Sequence, residues 1–209
     1  MNTKYFMKLA LLFLGNLSAA FGVFLCVASQ KGADPITVLL DGIMKTCNVQ
    51  IGIAVIILHT VLIIICSLFD RKSIKSGTIF SIFTFSISLN FFIANYLNLI
   101  IPKNIFLSWS LLLFGIVFMG VGFSVGIFAN IGCNTADISL NILSTKTGLG
   151  IKTCKNILDL AYTLLGIILG GTFGIGTLLC VLLVGSVYSS TLQLLEKTKQ
   201  SVTYKKIYN

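Results

Sequence analysis

The sequence predicts an all-α polytopic membrane protein: about six transmembrane helices in two inverted three-span repeats, each with a short linker helix between its first and second spans. Three observations predict it. Of 209 residues, 56% are hydrophobic and only 10% charged, a balance foreign to soluble domains. The charges cluster, and the runs between them are long enough to cross a hydrocarbon core of about 30 Å, which takes about 20 helical residues. Finally, "GADPITVLLDGI" from Gly32 is echoed by "GCNTADISLNIL" from Gly132, the same polar punctuation between apolar stretches one hundred residues later.

The first repeat, residues 1–104, holds spans at about 9–29, 50–69 and 78–101. The second, residues 105–196, holds spans at about 107–129, 154–171 and 175–195, and a basic cytoplasmic tail, 197–209, follows. Lys4 and Lys8 before an apolar run have the look of a signal peptide. The run is too long for one and no A-x-A site follows it, so the first span is expected to stay. Leu160 to Leu195 is 36 residues without a charge, too long for one crossing at 1.5 Å per residue. "GGTFGIG" at 170–176 therefore reads as a tight hairpin.

Basic residues stay on the cytoplasmic side of a membrane. With the N-terminus inside, twelve of the fifteen lysines and arginines fall inside and three, Lys31, Lys45 and Lys103, outside. Both termini are therefore expected in the cytoplasm of a bacterial cell, the protein sitting in its inner membrane. Laid over one another without a gap, residues 11–65 and 111–165 share nine identities. Gly15, Gly22 and Gly32 fall on Gly115, Gly122 and Gly132, three coincidences against about 0.6 expected by chance. Three spans per repeat is an odd number, so the second copy enters the membrane from the opposite side.

The two linkers, each about 20 residues, exceed a simple turn. Asp34 before Pro35, and Thr135 two residues before Asp137, supply N-cap chemistry ahead of apolar helical runs. A short helix is expected in each. It either dips toward the midplane, where a positive helix N-terminus binds solutes, or lies flat at the surface. Asp34, Thr37 and Asp41 align with Asn134, Asp137 and Asn141, oxygen ligands at spacings of three and four on one helix face. These six are the candidate substrate or ion ligands. His59 and Asp159 correspond at the same offset, inside spans where a charge costs about 2.5–3.5 kcal/mol. In an inverted repeat such positions approach each other, which suggests a His59–Asp159 proton relay. The simpler reading pairs Asp159 with Lys155 one turn earlier and gives His59 one hydrogen bond to a neighbouring helix.

The stretches "KLALLFLGN", "GADP" leading to "LLDGI", "DRKSIKSGT", "STKTGLGIKTCKNILDL" and "LGGTFGIGT" resemble the YczE-type branch of the YitT-like bacterial integral membrane proteins, from about Lys8 to Glu196. The resemblance implies a multi-pass membrane fold. Where relatives carry Pro in the second linker this chain has Thr135, with Asp137 kept, and where they carry Arg before the intramembrane Asp it has Lys155. The soluble C-terminal domain of YitT proper is not expected in this chain.

These features fit a small secondary transporter or permease for an ion or small solute, with Asn90, Asn95 and Asn98 as further polar groups at depth. The alternative is a non-transporting accessory or substrate-capture subunit, docking partner membrane proteins or a second copy through the G-x-x-x-G pairs Gly122/Gly126 and Gly166/Gly170. Enzyme chemistry is not expected: one His, six acidic residues and no H-E-x-x-H, G-x-S-x-G or P-loop motif are present. No cofactor or metal is called for, since the six cysteines lack C-x-x-C spacing and read as buried thiols. The formal charge of +9 is spent on membrane orientation, with the bilayer, not nucleic acid, as the partner.

Overall fold

The computed structural model describes the backbone of residues 3–132 and 134–208, and their side chains except at 3, 4, 72, 151, 152 and 200–208. Cys133 and Asn209, and the side chains of Lys4, Lys72, Lys152, Lys205 and Lys206 used above for orientation, lie outside the described residues. The helices are α1 (Thr3–Ala28), α2 (Pro35–Cys47), α3 (Ile51–Phe69), α4 (Ser76–Tyr96), α5 (Ile105–Phe128), α6 (Thr135–Thr147), α7 (Ile151–Ile168) and α8 (Ile175–Tyr208). Among the described residues there is no strand.

Five helices, α1, α3, α4, α5 and α8, are long and apolar enough to cross a membrane. The fifth expected span falls on α7, which carries Lys152, Lys155 and Asp159 and is not among them. The third ends at Tyr96, not near 101, which leaves Asn98 in the turn beyond. α8 runs on past 195 without a break into the basic tail. The outer surface is greasy: Leu68, Ile87, Phe114, Ile168 and Leu182 are all more than 60% exposed. Apolar side chains this large, grouped on the outside of several helices, face lipid rather than water. The chain is a polytopic membrane protein.

Its centre is the crossing of α1 and α5, which touch backbone to backbone. A side-chain carbon at Gly15 would lie 2.8 Å from the Gly122 carbonyl oxygen, and one at Gly22 2.6 Å from that of Gly115. No residue but glycine fits, and the approach allows van der Waals contact along both backbones. α4 packs on α1 and α8 on α5. α2 lies between α7 and α3, and α6 between α3 and α7. Phe24, Val55, Leu89, Leu112, Ile116 and Met119 fill the core.

The layout recurs at an interval of one hundred residues. α2 and α6 have 13 residues each, starting at 35 and 135. Both begin in extended backbone and end on a left-handed residue, Asn48 (φ 52°) and Gly148 (φ 71°). The turns before them bend at left-handed Gln30 (φ 57°) and Asn130 (φ 52°). Asn tolerates that region better than most residues because its side chain bonds locally. Ser18 Oγ donates to the Phe118 carbonyl at 3.0 Å, joining two positions one hundred apart.

Candidate functional site

Pro35 opens α2, where its fixed φ suits the first helical turn and its missing N–H is no loss. Asp34 is the N-cap, but its carboxylate makes no cap bond and instead accepts from the Thr37 hydroxyl. In α6 the N-cap is Asn134, not Thr135 as the sequence suggested, and its Oδ1 accepts weakly from Ala136 N at 3.4 Å. Thr135 is thereby released to another partner. Fully buried, it hydrogen-bonds His59 Nδ1 on α3. One turn further on, Ser139 Oγ meets the Tyr162 hydroxyl of α7 at 3.2 Å.

His59 and Asp159 do not pair. Asp159, on α7, takes both its hydrogen bonds from Lys155 Nζ, at 2.8 and 3.1 Å. Its side chain is 9% exposed against 45% for that of Lys155, so the lysine reaches outward while holding a buried charge. The simpler expectation describes both residues. Asp34 and Asp137 lie within electrostatic reach of Lys155, and Asp34 also of Asp159. The Asp137 carboxylate has no hydrogen bond or salt bridge among the described residues.

The six expected ligands do not form one cluster. Asp34 and Thr37 sit at the inner end of α2, whereas Asp41 is a turn further out. There it accepts from Lys45 Nζ at 2.7 Å and from Thr172 N at 2.7 Å. Lys45 Nζ also donates to the Gly170 carbonyl at 3.1 Å and to Thr172 Oγ1 at 2.8 Å, and Thr46 Oγ1 donates to the Leu169 carbonyl at 3.0 Å. These bonds fasten the C-terminal half of α2 to the hairpin between α7 and α8. Burial works to raise the Asp41 carboxyl, but the bonds from Lys45 and Thr172 outweigh it and hold the group below the usual carboxylate range. Asn141, the counterpart of Asp41, is exposed. Asn90 donates to Gln50 at 3.2 Å and Asn95 to its own helix at Phe91 O, 2.8 Å. The first joins α4 to the start of α3; the second stays within α4.

Sequence reasoning missed a second polar centre. Asn16 on α1 donates to Thr84 Oγ1 at 2.7 Å and accepts from Ser81 Oγ at 2.8 Å, both on α4. Asn16 and Ser81, with His59, Ile82, Phe85 and Asn134, wall a small cleft beneath the first turn of α6. Asn16 did give a signal, as an amide inside an apolar span. Serines and threonines give none, because they bond their own helix as readily as a neighbour.

The profile of a protein family, described as a family of unknown function (DUF6198), matches residues 6–191. The uncharacterized membrane protein YczE of Bacillus subtilis is 26% identical over 176 residues, 83% of this chain and 80% of its own length. The uncharacterized protein YyaS of the same organism is 28% identical over 192 residues, 88% of this chain and 92% of its own. An uncharacterized protein of Haemophilus influenzae is 24% identical over 195 residues, 93% and 88% of the two chains. No solved structure matches.

Proposed function

We propose that this chain, which belongs to the YczE-type branch of the family of unknown function DUF6198, is a small secondary transporter or permease of the bacterial inner membrane. One observation carries the reading. The first turn of α6 touches His59, the ninth residue of α3, about 12 Å along that helix and so close to the middle of the hydrocarbon. A helix lying flat at the surface does not reach that depth. In transporters, short helices ending at the midplane present free N–H groups and a partial positive charge to a solute.

Three further features support two inverted repeats of three spans, with α7 as the fifth. α2 and α6 share their length and the backbone conformation at both ends at an interval of one hundred. Contacts are reciprocal: Gly15 meets Gly122 while Gly22 meets Gly115. Gly32 abuts Thr177 as Gly132 abuts Thr78. The excess of basic residues on one side favours cytoplasmic termini. The accessory-subunit reading loses ground because Gly122 and Gly166 are used inside the chain, against Ala19 of α1 and Leu39 of α2. The protein carries solute without covalent chemistry.

Two experiments test this. In a cysteine-free background, Lys103→Cys is expected to label from outside, and Lys75→Cys and Lys199→Cys only after permeabilisation. Labelling of Lys75→Cys in intact cells overturns the inverted arrangement. In proteoliposomes, a panel of ions and small metabolites is expected to give solute-driven flux that Asp137→Asn reduces tenfold or more. A folded protein that moves nothing in the panel and co-purifies with a stoichiometric membrane partner is the accessory subunit instead.

A further inference from the structure

The two short helices are anchored alike at one end and differently at the other. The turn before α2 is pinned to the start of α8: Gly176 N donates to the Lys31 carbonyl at 2.7 Å, and a side-chain carbon at Gly32 would lie 2.7 Å from Thr177 Oγ1. The turn before α6 is pinned to the start of α4 in the same way. A side-chain carbon at Gly132 would lie 2.8 Å from the Gly77 carbonyl carbon, and one at Gly77 2.6 Å from the Ile131 carbonyl oxygen. Backbones this close resist displacement, so movement of either short helix falls to its C-terminal half.

That half is fastened in α2 and loose in α6. Asp41, Lys45 and Thr46 tie α2 to the hairpin at residues 169–172. Beyond Ser139, the side chains of α6 among the described residues bond their own helix and the loop that ends it, apart from a contact of Thr147 Oγ1 with Cys154 Sγ at 3.9 Å. Nothing past Ile138 in α6 is buried.

The second half nevertheless carries the parts of a fastening, differently divided. At an offset of one hundred, residues 169–172 correspond to Phe69, Asp70, Arg71 and Lys72, where α3 ends. Lys146 corresponds to Thr46 and, like Lys45, lies in the last turn of its helix. It is exposed and makes no ion pair among the described residues. Asp70 caps the C-terminal end of α3, where its carboxylate adds to the partial negative charge of the helix end. A lysine brought there meets both. Arg71, Lys72 and Lys75 stand nearby in the chain and weaken the attraction, which suits a contact made to open. In the first repeat acid and lysine both sit on the short helix; in the second the lysine is on the short helix and the acid on its seat.

In carriers built of inverted repeats, alternating access comes from movement of one repeat against the other around a fixed site. We infer that α2 and α6 are the two gates of one carrier, and that this structure is the state in which the α2 gate is shut and the α6 gate unlatched. In the second state α2 lets go of residues 169–172 and α6 closes on residues 69–72 through Lys146 and Asp70. On the topology proposed above, the shut gate faces outside and the unlatched one the cytoplasm. The inference rests on the transporter reading for the use of this exchange, while the exchange itself is measurable without a substrate.

The test is cross-linking of the full chain in membranes, in a cysteine-free background carrying Thr145→Cys and Arg71→Cys, at the counterparts of Lys45 and Gly171. A short bifunctional thiol reagent is expected to join the two sparsely while α2 is fastened, and about threefold more or better when Lys45→Met releases it. Adding Lys146→Gln or Asp70→Asn should each remove the rise. A yield that ignores Lys45→Met overturns the inference, because the two short helices are then uncoupled. A rise that survives either Lys146→Gln or Asp70→Asn overturns the assigned latch. If Lys45→Met does not fold, Asp41→Asn unfastens the same end of α2 and decides. Exchange of the cross-link in a protein that carries no solute into proteoliposomes sustains the gates and defeats the transporter reading. Solute flux with a cross-link indifferent to the release of α2 does the reverse.

Discussion

α2 and α6 are equal in length and matched in the backbone conformation at both ends, yet α2 buries six residues and α6 only two, Thr135 and Ile138. Corresponding positions explain the gap. Where α2 crosses α7, Gly42 faces Gly166, and a side-chain carbon on Gly42 would lie 2.7 Å from the Gly166 carbonyl oxygen. At the same offset α6 and α3 carry Ile142 and Cys66, so that crossing has no matching pair of glycines. The Asp41–Lys45 pair that fastens α2 to the hairpin is replaced by Asn141 and Thr145, and Thr145 bonds only to its own helix. The seating of a short helix is thus set by a few side chains at its crossing and not by its length or caps.

The largest effect is expected from giving α2 the crossing of α6. Gly42→Ile should push α2 off α7 and cost about 3 kcal/mol, read as a fall in Tm, whereas Gly150→Ala, with nothing within 4 Å of the new carbon, should leave Tm unchanged. Equal tolerance of both would mean that α2 is not held by close packing.

Next in size is the fastening. Lys45→Met should cost about 1 kcal/mol and raise labelling of Thr37→Cys by an impermeant thiol reagent several-fold from outside. Asn141→Asp with Thr145→Lys carries the pair to α6 and should slow hydrogen exchange across 138–146. Unchanged exchange would mean that α6 finds no partner for the new lysine.

Tyr162→Phe removes the bond that α6 makes to α7 through Ser139, for an expected loss of about 0.5–1 kcal/mol and faster exchange in α6 but not in α2.

The smallest effect is that of pH. A carboxyl held below its ordinary value of 3.8 contributes stability that is complete above that value and lost as pH falls through the lower folded value. The Tm difference between wild type and Asp41→Asn should therefore be constant from pH 7 to about 5 and shrink below about 4. With Asp41 partly open to solvent, a change of about 1–2 °C is expected. A difference that grows on acidification would reverse the sign assigned to this carboxyl.

Much of the fold was legible because hydrophobic runs and N-cap chemistry are local. The two short helices follow from "GADP" and "GCNTAD" and the apolar spacing behind them. Helix ends were read less well, since apolarity marks where hydrocarbon lies and not where a helix stops: α4 ends at Tyr96, inside the apolar run. The ligand triplets do not gather at one point, for a geometric reason. Asp34 and Asp41 share a face but are separated by about 10 Å along the axis, so one face holds two depths. The cleft was illegible because Asn16 and its partners Ser81 and Thr84 are 65 and 68 residues apart, a closure made by tertiary packing.

The glycine crossing of α1 and α5 is also a fulcrum. With bare backbones in contact at Gly15, Gly22, Gly115 and Gly122, sliding one helix along the other would drive the flanking side chains into the opposite chain. Tilting about the contact disturbs almost nothing there. A tilt of about 10° acting over a lever of about 15 Å moves a helix end by about 2–3 Å. On the transporter reading proposed above, the axle of such a motion is four residues that possess no side chain at all.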